Sequence, residues 1–177
     1  MARDSDAASL QQALSQQLFF RGMEPEHLSL LAEFSARRQF EPGEYLCREG
    51  EEADLFYVVE SGLVALELTK PEHGDFAVQS LEAGDILGWS WLVPPYRWRF
   101  TARVVEHTHA IALDGRCLRS RCEQNHELGY QLLVRLVQVM TERLETTRRQ
   151  LIANTRMPVE SLPRPRAAGR ARSAQGG

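Results

Sequence analysis

Between Gln39 and Leu113, short apolar runs are separated again and again by glycine-bearing pairs: Pro42-Gly43, Glu49-Gly50, Ser61-Gly62, His73-Gly74 and Ala83-Gly84. Glycine reaches the positive φ that a tight reversal needs, and short strands at such even spacing close into a sandwich or a roll. The runs predict strands at Gln39–Phe40, Tyr45–Cys47, Leu55–Val59, Leu63–Leu68, Phe76–Leu81, Ile86–Leu87, Trp98–Val105 and His109–Leu113. After Asn125 the pattern changes to one long stretch with no proline and a single glycine, Gly129, up to Asn154. The expected fold is therefore mainly β with flanking helices (α+β). It is an antiparallel, jelly-roll-like β-roll followed by a long C-terminal helix.

One stretch inside the roll stands apart. From Gly84 to Val104 it reads GDILGWSWLVPPYRWRFTARV, and it holds all three tryptophans, Trp89, Trp91 and Trp98. Pro94 and Pro95 interrupt it, which predicts a loop over Leu92–Tyr96. Beyond the loop, Trp98, Phe100, Ala102 and Val104 alternate with Arg97, Arg99, Thr101 and Arg103. A period of two gives a strand with an apolar inner face and a cationic outer face. Gly88 stands where a strand hands over to a turn, a place where free backbone N–H groups can hold an anion.

The flanks read as helices. Leu10, Leu14 and Leu18 recur at four-residue steps within residues 1–20, an N-terminal helix. A second helix is expected to start near Pro25, to carry Leu28, Leu31 and Phe34, and to run to about Ala36. The roll is assigned to residues 21–123, with a short helix over Asp114–Arg121 capped by Asp114. The long helix is assigned to residues 124–155. Its residues Tyr130, Leu133, Val137, Met140, Leu144, Thr147 and Leu151 follow at alternating steps of three and four, a heptad seam that predicts a homodimer. Leu132, Leu136 and Val139 widen the apolar face where that half also packs on the roll. Residues 156–177 form an Arg/Pro-rich tail expected to be disordered.

Composition removes several functions. Five arginines against one acid, Glu160, make the tail +4, so the rest of this chain of net charge −3 carries −7. An acidic body argues against nucleic-acid binding by the folded part. No apolar run is long enough for a bilayer and the N-terminus is unlike a signal peptide, so the expected location is cytoplasmic, without membrane. Cys47, Cys117 and Cys122 form no disulfide framework, and an iron–sulfur cluster would ask for four thiolates. His107 and His109 share a strand face but lack an evident third ligand, so they read as a surface pair with no metal. No nucleophile–base pair is evident, and an enzyme is not expected.

The residues Phe40-x-Pro42-Gly43-Glu44, Arg48-Glu49-Gly50-x-x-Ala53-Asp54-x-Phe56-Tyr57-x-Val59-x-Ser61-Gly62-x-Val64 and Leu81-x-x-Gly84-Asp85-x-Leu87-Gly88, together with the long helix, resemble the cyclic nucleotide-binding domain of Crp/Fnr-type regulators. The resemblance implies a β-roll with a phosphate cassette after Gly88, a cyclic nucleotide as the ligand, and a C-terminal helix that relays its binding. In the family the cassette continues Gly-Glu, then a loop, then Arg-x-Ala-Thr/Ser-Val. The Glu takes the ribose hydroxyl and the Arg neutralises the phosphate.

Here Trp89 stands at the Glu position, Trp98 at the Arg position and Phe100 at the Ala position. The candidate site is thus Gly88, Trp89, Ser90, Trp98, Arg97 and Arg99, and ordinary cAMP binding is not expected of it. Three readings stay open: rescue of the phosphate by Arg97 or Arg99, a different and more apolar or aromatic ligand, or a filled pocket with none. The expected function is a non-enzymatic regulatory module, a homodimer through Leu133, Val137, Met140, Leu144 and Leu151. The alternatives are a Crp/Fnr-type transcriptional regulator acting through a partner protein, or a ligand-free interaction scaffold. A helix-turn-helix follows the long helix in the family. Only the tail follows here, so no autonomous DNA-binding domain is expected.

Overall fold

A computed structural model of the chain describes residues 2–70 and 74–154. The basic tail lies outside the described residues, and the His73-Gly74 turn lies partly so. The described residues fall into two units, one up to Val137 and one from Gln138 onward. The first begins with helix α1 (Ala2–Gln16), a 3-10 turn over Leu18–Phe20, and helix α2 (Pro25–Ala32). Leu10 and Leu14 are buried as the four-residue spacing predicts, but Leu18 is exposed. The chain leaves the helix at Gln16, so the period breaks and Phe19 and Phe20 turn inward instead. Pro25 opens α2, where its missing N–H costs nothing. That helix ends at Ala32, four residues short of the expectation. Ser35 and Ala36 are already extended, and the Ser35 hydroxyl donates back to the Leu31 carbonyl at 2.6 Å.

Six strands follow: β1 (Ser35–Phe40), β2 (Tyr45–Cys47), β3 (Leu55–Lys70), β4 (Gly74–Leu81), β5 (Ile86–Leu87) and β6 (Thr101–Asp114). Their order is β1-β6-β3-β4, with β2 also on β6 and β5 also on β3, and every pairing is antiparallel. This is the β-roll expected from the glycine spacing.

Two expected breaks are absent. Ser61-Gly62 is not a reversal, because β3 runs straight through it. Likewise β6 joins the two strands predicted on either side of Glu106 to Thr108. The β3–β6 register shifts between Val59 and Val64, and Gly62 (φ 100°) sits in that irregularity. A Cβ on Gly62 would fall 2.4 Å from Thr108 Oγ1 and 2.5 Å from the His107 carbonyl oxygen, so the close approach of β3 and β6 demands glycine there. The strand expected from Trp98 begins only at Thr101, although the alternation of faces already starts at Trp98.

Helices α3 (Gly115–Gln124) and α4 (His126–Asn154) close the order. The Asp114 carboxylate accepts from Cys117 N at 2.8 Å and so caps α3. Asn125 does the same for α4 through Leu128 N at 3.1 Å. Leu128, Leu132 and Leu136 of α4 are buried, while Tyr130, Leu133 and Val137 are exposed. In the second unit, Met140, Leu144 and Leu151 are exposed as well.

Candidate functional site

The site is built around the hand-over at Gly88. β5 pairs with β3 through Tyr57–Leu87 and Val58–Ile86, and the chain then turns at Gly88 with φ 99°. A Cβ added to Gly88 would lie 2.7 Å from Trp98 Cη2, 2.8 Å from its Cζ3 and 3.3 Å from the Leu55 carbonyl oxygen. The absence of a side chain at Gly88 is what admits the indole. Trp98 therefore lies directly on the backbone at the cassette glycine, and is itself 4% exposed.

The register that places Trp98 there is fixed by the main chain. Trp98 N donates to the Glu51 carbonyl at 2.9 Å, Gly50 N to the Trp98 carbonyl at 2.8 Å, and Ala53 N to the Tyr96 carbonyl at 2.8 Å. The segment after the Pro94-Pro95 loop is thus laced to residues 50–53, with Glu52 and Arg97 bridged antiparallel. A slip of one residue would exchange the two faces. In the register observed, Trp98 and Phe100 face the core, and Arg97 and Arg99 are exposed. Arg97 is further held outside by a 2.7 Å bond from its Nη1 to the Gly50 carbonyl.

The interior beside Trp98 is apolar. It comprises Leu46, Cys47, Tyr57, Val59, Leu66, Leu87, Phe100 and neighbours, with Trp89 half-buried against them. Trp89 meets Phe100 edge-on at 6.0 Å, and Trp98 meets Phe100 at 6.2 Å, both favourable ring arrangements. Among the described residues, the buried set contains no arginine or lysine.

Two acids in this cluster register how dry it is. Burial pushes the Cys47 thiol up to about 12 from 9.0. Burial first, then the neighbouring Cys47, pushes the Tyr57 phenol up to about 12 from 10.0. Both stay neutral, and Tyr57 donates to the Leu46 carbonyl at 3.3 Å. A charge on either group would lose its water on burial, so the neutral forms are favoured there.

The remaining candidates lie to one side of this cluster. Ser90 is 2% exposed, and its Oγ has no hydrogen-bond partner among the described residues. Trp91, which the sequence singled out but did not place in the site, is 1% exposed and packs on Phe56 at 6.1 Å. Sequence reasoning missed what holds it. Gly115, the first residue of α3, leaves room for the Trp91 side chain, since a Cβ there would stand 2.8 Å from Trp91 Cβ. Arg119 of α3 donates to the Trp91 carbonyl, and its guanidinium lies 4.4 Å from the Tyr96 ring centre. Gly115 and Arg119 are four apart, hence on one helical face, and a glycine directly after the capping Asp114 was the signal available.

The cyclic nucleotide-binding domain family model matches residues 37–125, half of the chain. The chain belongs to the cyclic nucleotide-binding domain family. It is 26% identical over 132 residues to the CRP-like cAMP-activated global transcriptional regulator of Mycobacterium tuberculosis, covering 75% of this chain and 57% of that protein. The chain thus spans little more than half the length of that relative. A solved structure from Geobacter metallireducens GS-15 matches with a TM-score of 0.69 at 27% identity, over 76% of this chain and 97% of that one. The regulatory subunit of a cAMP-independent protein kinase A from Trypanosoma brucei shares the fold, with a TM-score of 0.67 at 18% identity, over 85% of this chain and 53% of that one. Homologues of this chain are regulatory proteins. Among the described residues, no helix is long and apolar enough to cross a membrane.

Proposed function

We propose that this chain is a non-enzymatic, cytoplasmic regulatory module whose roll is closed at the phosphate cassette and whose output runs through the long helix. The observation that carries the reading is the Trp98 indole lying on Gly88, where relatives with the family motif place an arginine. The indole supplies apolar area and offers a phosphate no counter-charge, and a buried unpaired anion costs several kcal/mol, on the order-of-magnitude scale. Rescue by Arg97 or Arg99 gains no support from their exposed positions.

The route for a signal runs from the Trp91 carbonyl to Arg119, along α3, and through the Asn125 cap into α4. Asn125 Nδ2 also lies 3.3 Å from His27 Nε2 of α2, and Arg135 of α4 donates to the Arg21 carbonyl at 3.1 Å. A ligand or partner acts through this route only by favouring one position of α4 over another. The exposed seam Leu133, Val137, Met140, Leu144 and Leu151 supports a homodimer through α4, which would present two rolls to a partner protein.

A melting scan tests the reading. Any ligand of the native state at about a hundred times its Kd adds roughly 2.7 kcal/mol. Cyclic mononucleotides at about 1 mM are expected to leave the midpoint unmoved. A clear upward shift with cAMP overturns the closed cassette, whereas a shift with a small aromatic alone would assign the roll an apolar guest. A second reading, a transcriptional regulator acting with a partner, is favoured by the Mycobacterium relative. Sharp sequence preference by this chain alone in a gel shift of genomic fragments would overturn the expectation of no autonomous DNA binding, and preference only with a partner present would support this second reading.

A further inference from the structure

On β6, away from the cassette, two imidazoles converge. His107 and His109 are two apart on one strand, and their Nε2 atoms stand 3.1 Å from each other, with ring centres 4.9 Å apart. Glu41, just past β1, holds His107 from behind, with its Oε1 3.1 Å from His107 Nδ1. A carboxylate on Nδ1 keeps the proton there and leaves Nε2 with its lone pair outward, the arrangement that supports metal-ligating histidines.

We propose that His107 and His109 form a two-imidazole site for one divalent transition ion of the imidazole-preferring class, Zn2+, Cu2+ or Ni2+. This inference is independent of the reading of the cassette. Two nitrogens bound at about 2.0–2.1 Å lie roughly 2.9 Å apart at a right angle and 3.4 Å apart at a tetrahedral one. The 3.1 Å between the two Nε2 atoms falls inside that range, the separation two ligands of one ion need. Without the ion, one hydrogen bond joins the two Nε2 atoms, and the tautomers set which of them donates. With it, that proton leaves for solvent or for the donor ring's own Nδ1, and both lone pairs face the metal.

The backbone under the pair is stiff. Thr108, between the two histidines, is fully buried, and its hydroxyl donates to the Glu106 carbonyl at 2.7 Å. Gly62 of β3 lies so close to the His107 carbonyl and Thr108 that a Cβ would not fit, and Ser61 pairs with His109. Sites mounted on strands hold such geometry better than sites on loops. Among the described residues, no three or more His, Cys, Asp or Glu side chains group as a metal site, so water completes the coordination. That leaves an open, exchangeable position on the ion rather than a closed structural site.

The test uses the full chain with Cys117→Ser and Cys122→Ser, so that the non-core thiols do not take the ion. One equivalent of Cu2+ is added and its electron paramagnetic resonance recorded. The expected spectrum carries coupling to two nitrogens, falling to one in His107→Asn and in His109→Asn. Zn2+ titration calorimetry is expected to give one site, weakened at least tenfold by either substitution. Glu41→Gln, which leaves both ligands in place, is expected to weaken it about tenfold, the low end for an outer-shell carboxylate that is itself exposed. A parent spectrum without two-nitrogen coupling overturns the site, as does a Zn2+ affinity that is the same in parent and His variants.

Discussion

The cassette and the seam of α4 are both apolar, and they dispose of that character in opposite ways. At the cassette, Trp98, Phe100 and Leu87 are buried against one another, with Trp98 seated on Gly88. Along α4, Leu133, Val137, Met140, Leu144 and Leu151 stand between 44% and 63% exposed, while Leu128, Leu132 and Leu136, on another face of the same helix, are at most 2% exposed. The contrast separates two uses of apolar area. An interior that has satisfied itself has little left to give a ligand. A regular stripe left in water has its area still available, roughly 25 cal/mol for each Å² that a second surface covers. On this comparison, the apolar area still open to a second surface lies on α4 rather than inside the roll.

The sharpest way to break the comparison is to empty the cassette. Trp98→Ala is expected to lower stability by about 3–5 kcal/mol, read from chemical unfolding. Gly88→Ala alone introduces a Cβ that Trp98 and the positive φ both oppose. In the Trp98→Ala background the clash with the indole disappears, leaving the positive φ and the Leu55 carbonyl, and the double-mutant cycle is expected to show a coupling of about 0.5–3 kcal/mol. Additive effects would mean that the indole does not rest on Gly88.

The other half of the comparison is tested by Leu133→Asp with Leu144→Asp. Sedimentation is expected to show the parent as a dimer and the double variant as a monomer, with near-ultraviolet dichroism of the tryptophans unchanged. A monomeric parent would leave the stripe without its second copy.

A smaller effect concerns the dryness of the roll. Cys47 and Tyr57 have folded values raised to about 12 from 9.0 and 10.0. The unfolded chain therefore ionises first as pH rises. Their contribution is whole below about pH 9 and is lost on the way to about pH 12, so unfolding free energy should fall with pH across that window. Cys47→Ala should flatten the slope, and an unchanged slope would contradict a dry interior at that position. The smallest effect is expected at the cationic face, where Arg99→Ala should change stability by less than about 0.5 kcal/mol.

Much of this was readable in the residues, and the misses share a cause. β2 and β5 fall where the apolar runs place them, and the alternation from Trp98 to Val104 states its inner face outright. Ser61-Gly62 misled because a positive-φ glycine serves a bulge as well as a turn, and only the partner strand decides between them. Leu18 misled because a four-residue spacing says nothing about where the helix stops. At the site, the sequence names Trp98 and Gly88 but not their contact. That depends on residues 50–53 capturing the segment after the two prolines, a pairing across nearly fifty positions. Arg119 was invisible for the same reason, since its acceptor is a main-chain carbonyl 28 residues away.

The seat of Trp98 on Gly88 has a kinetic consequence. Where the ring must swing out before a molecule can occupy that space, uptake cannot outpace that excursion however high the concentration. The molecule's measured affinity is discounted by the fraction of time the seat stands vacant. The ring is one of the protein's three fluorescent indoles, so any population that leaves the seat is expected to alter part of the protein's own emission.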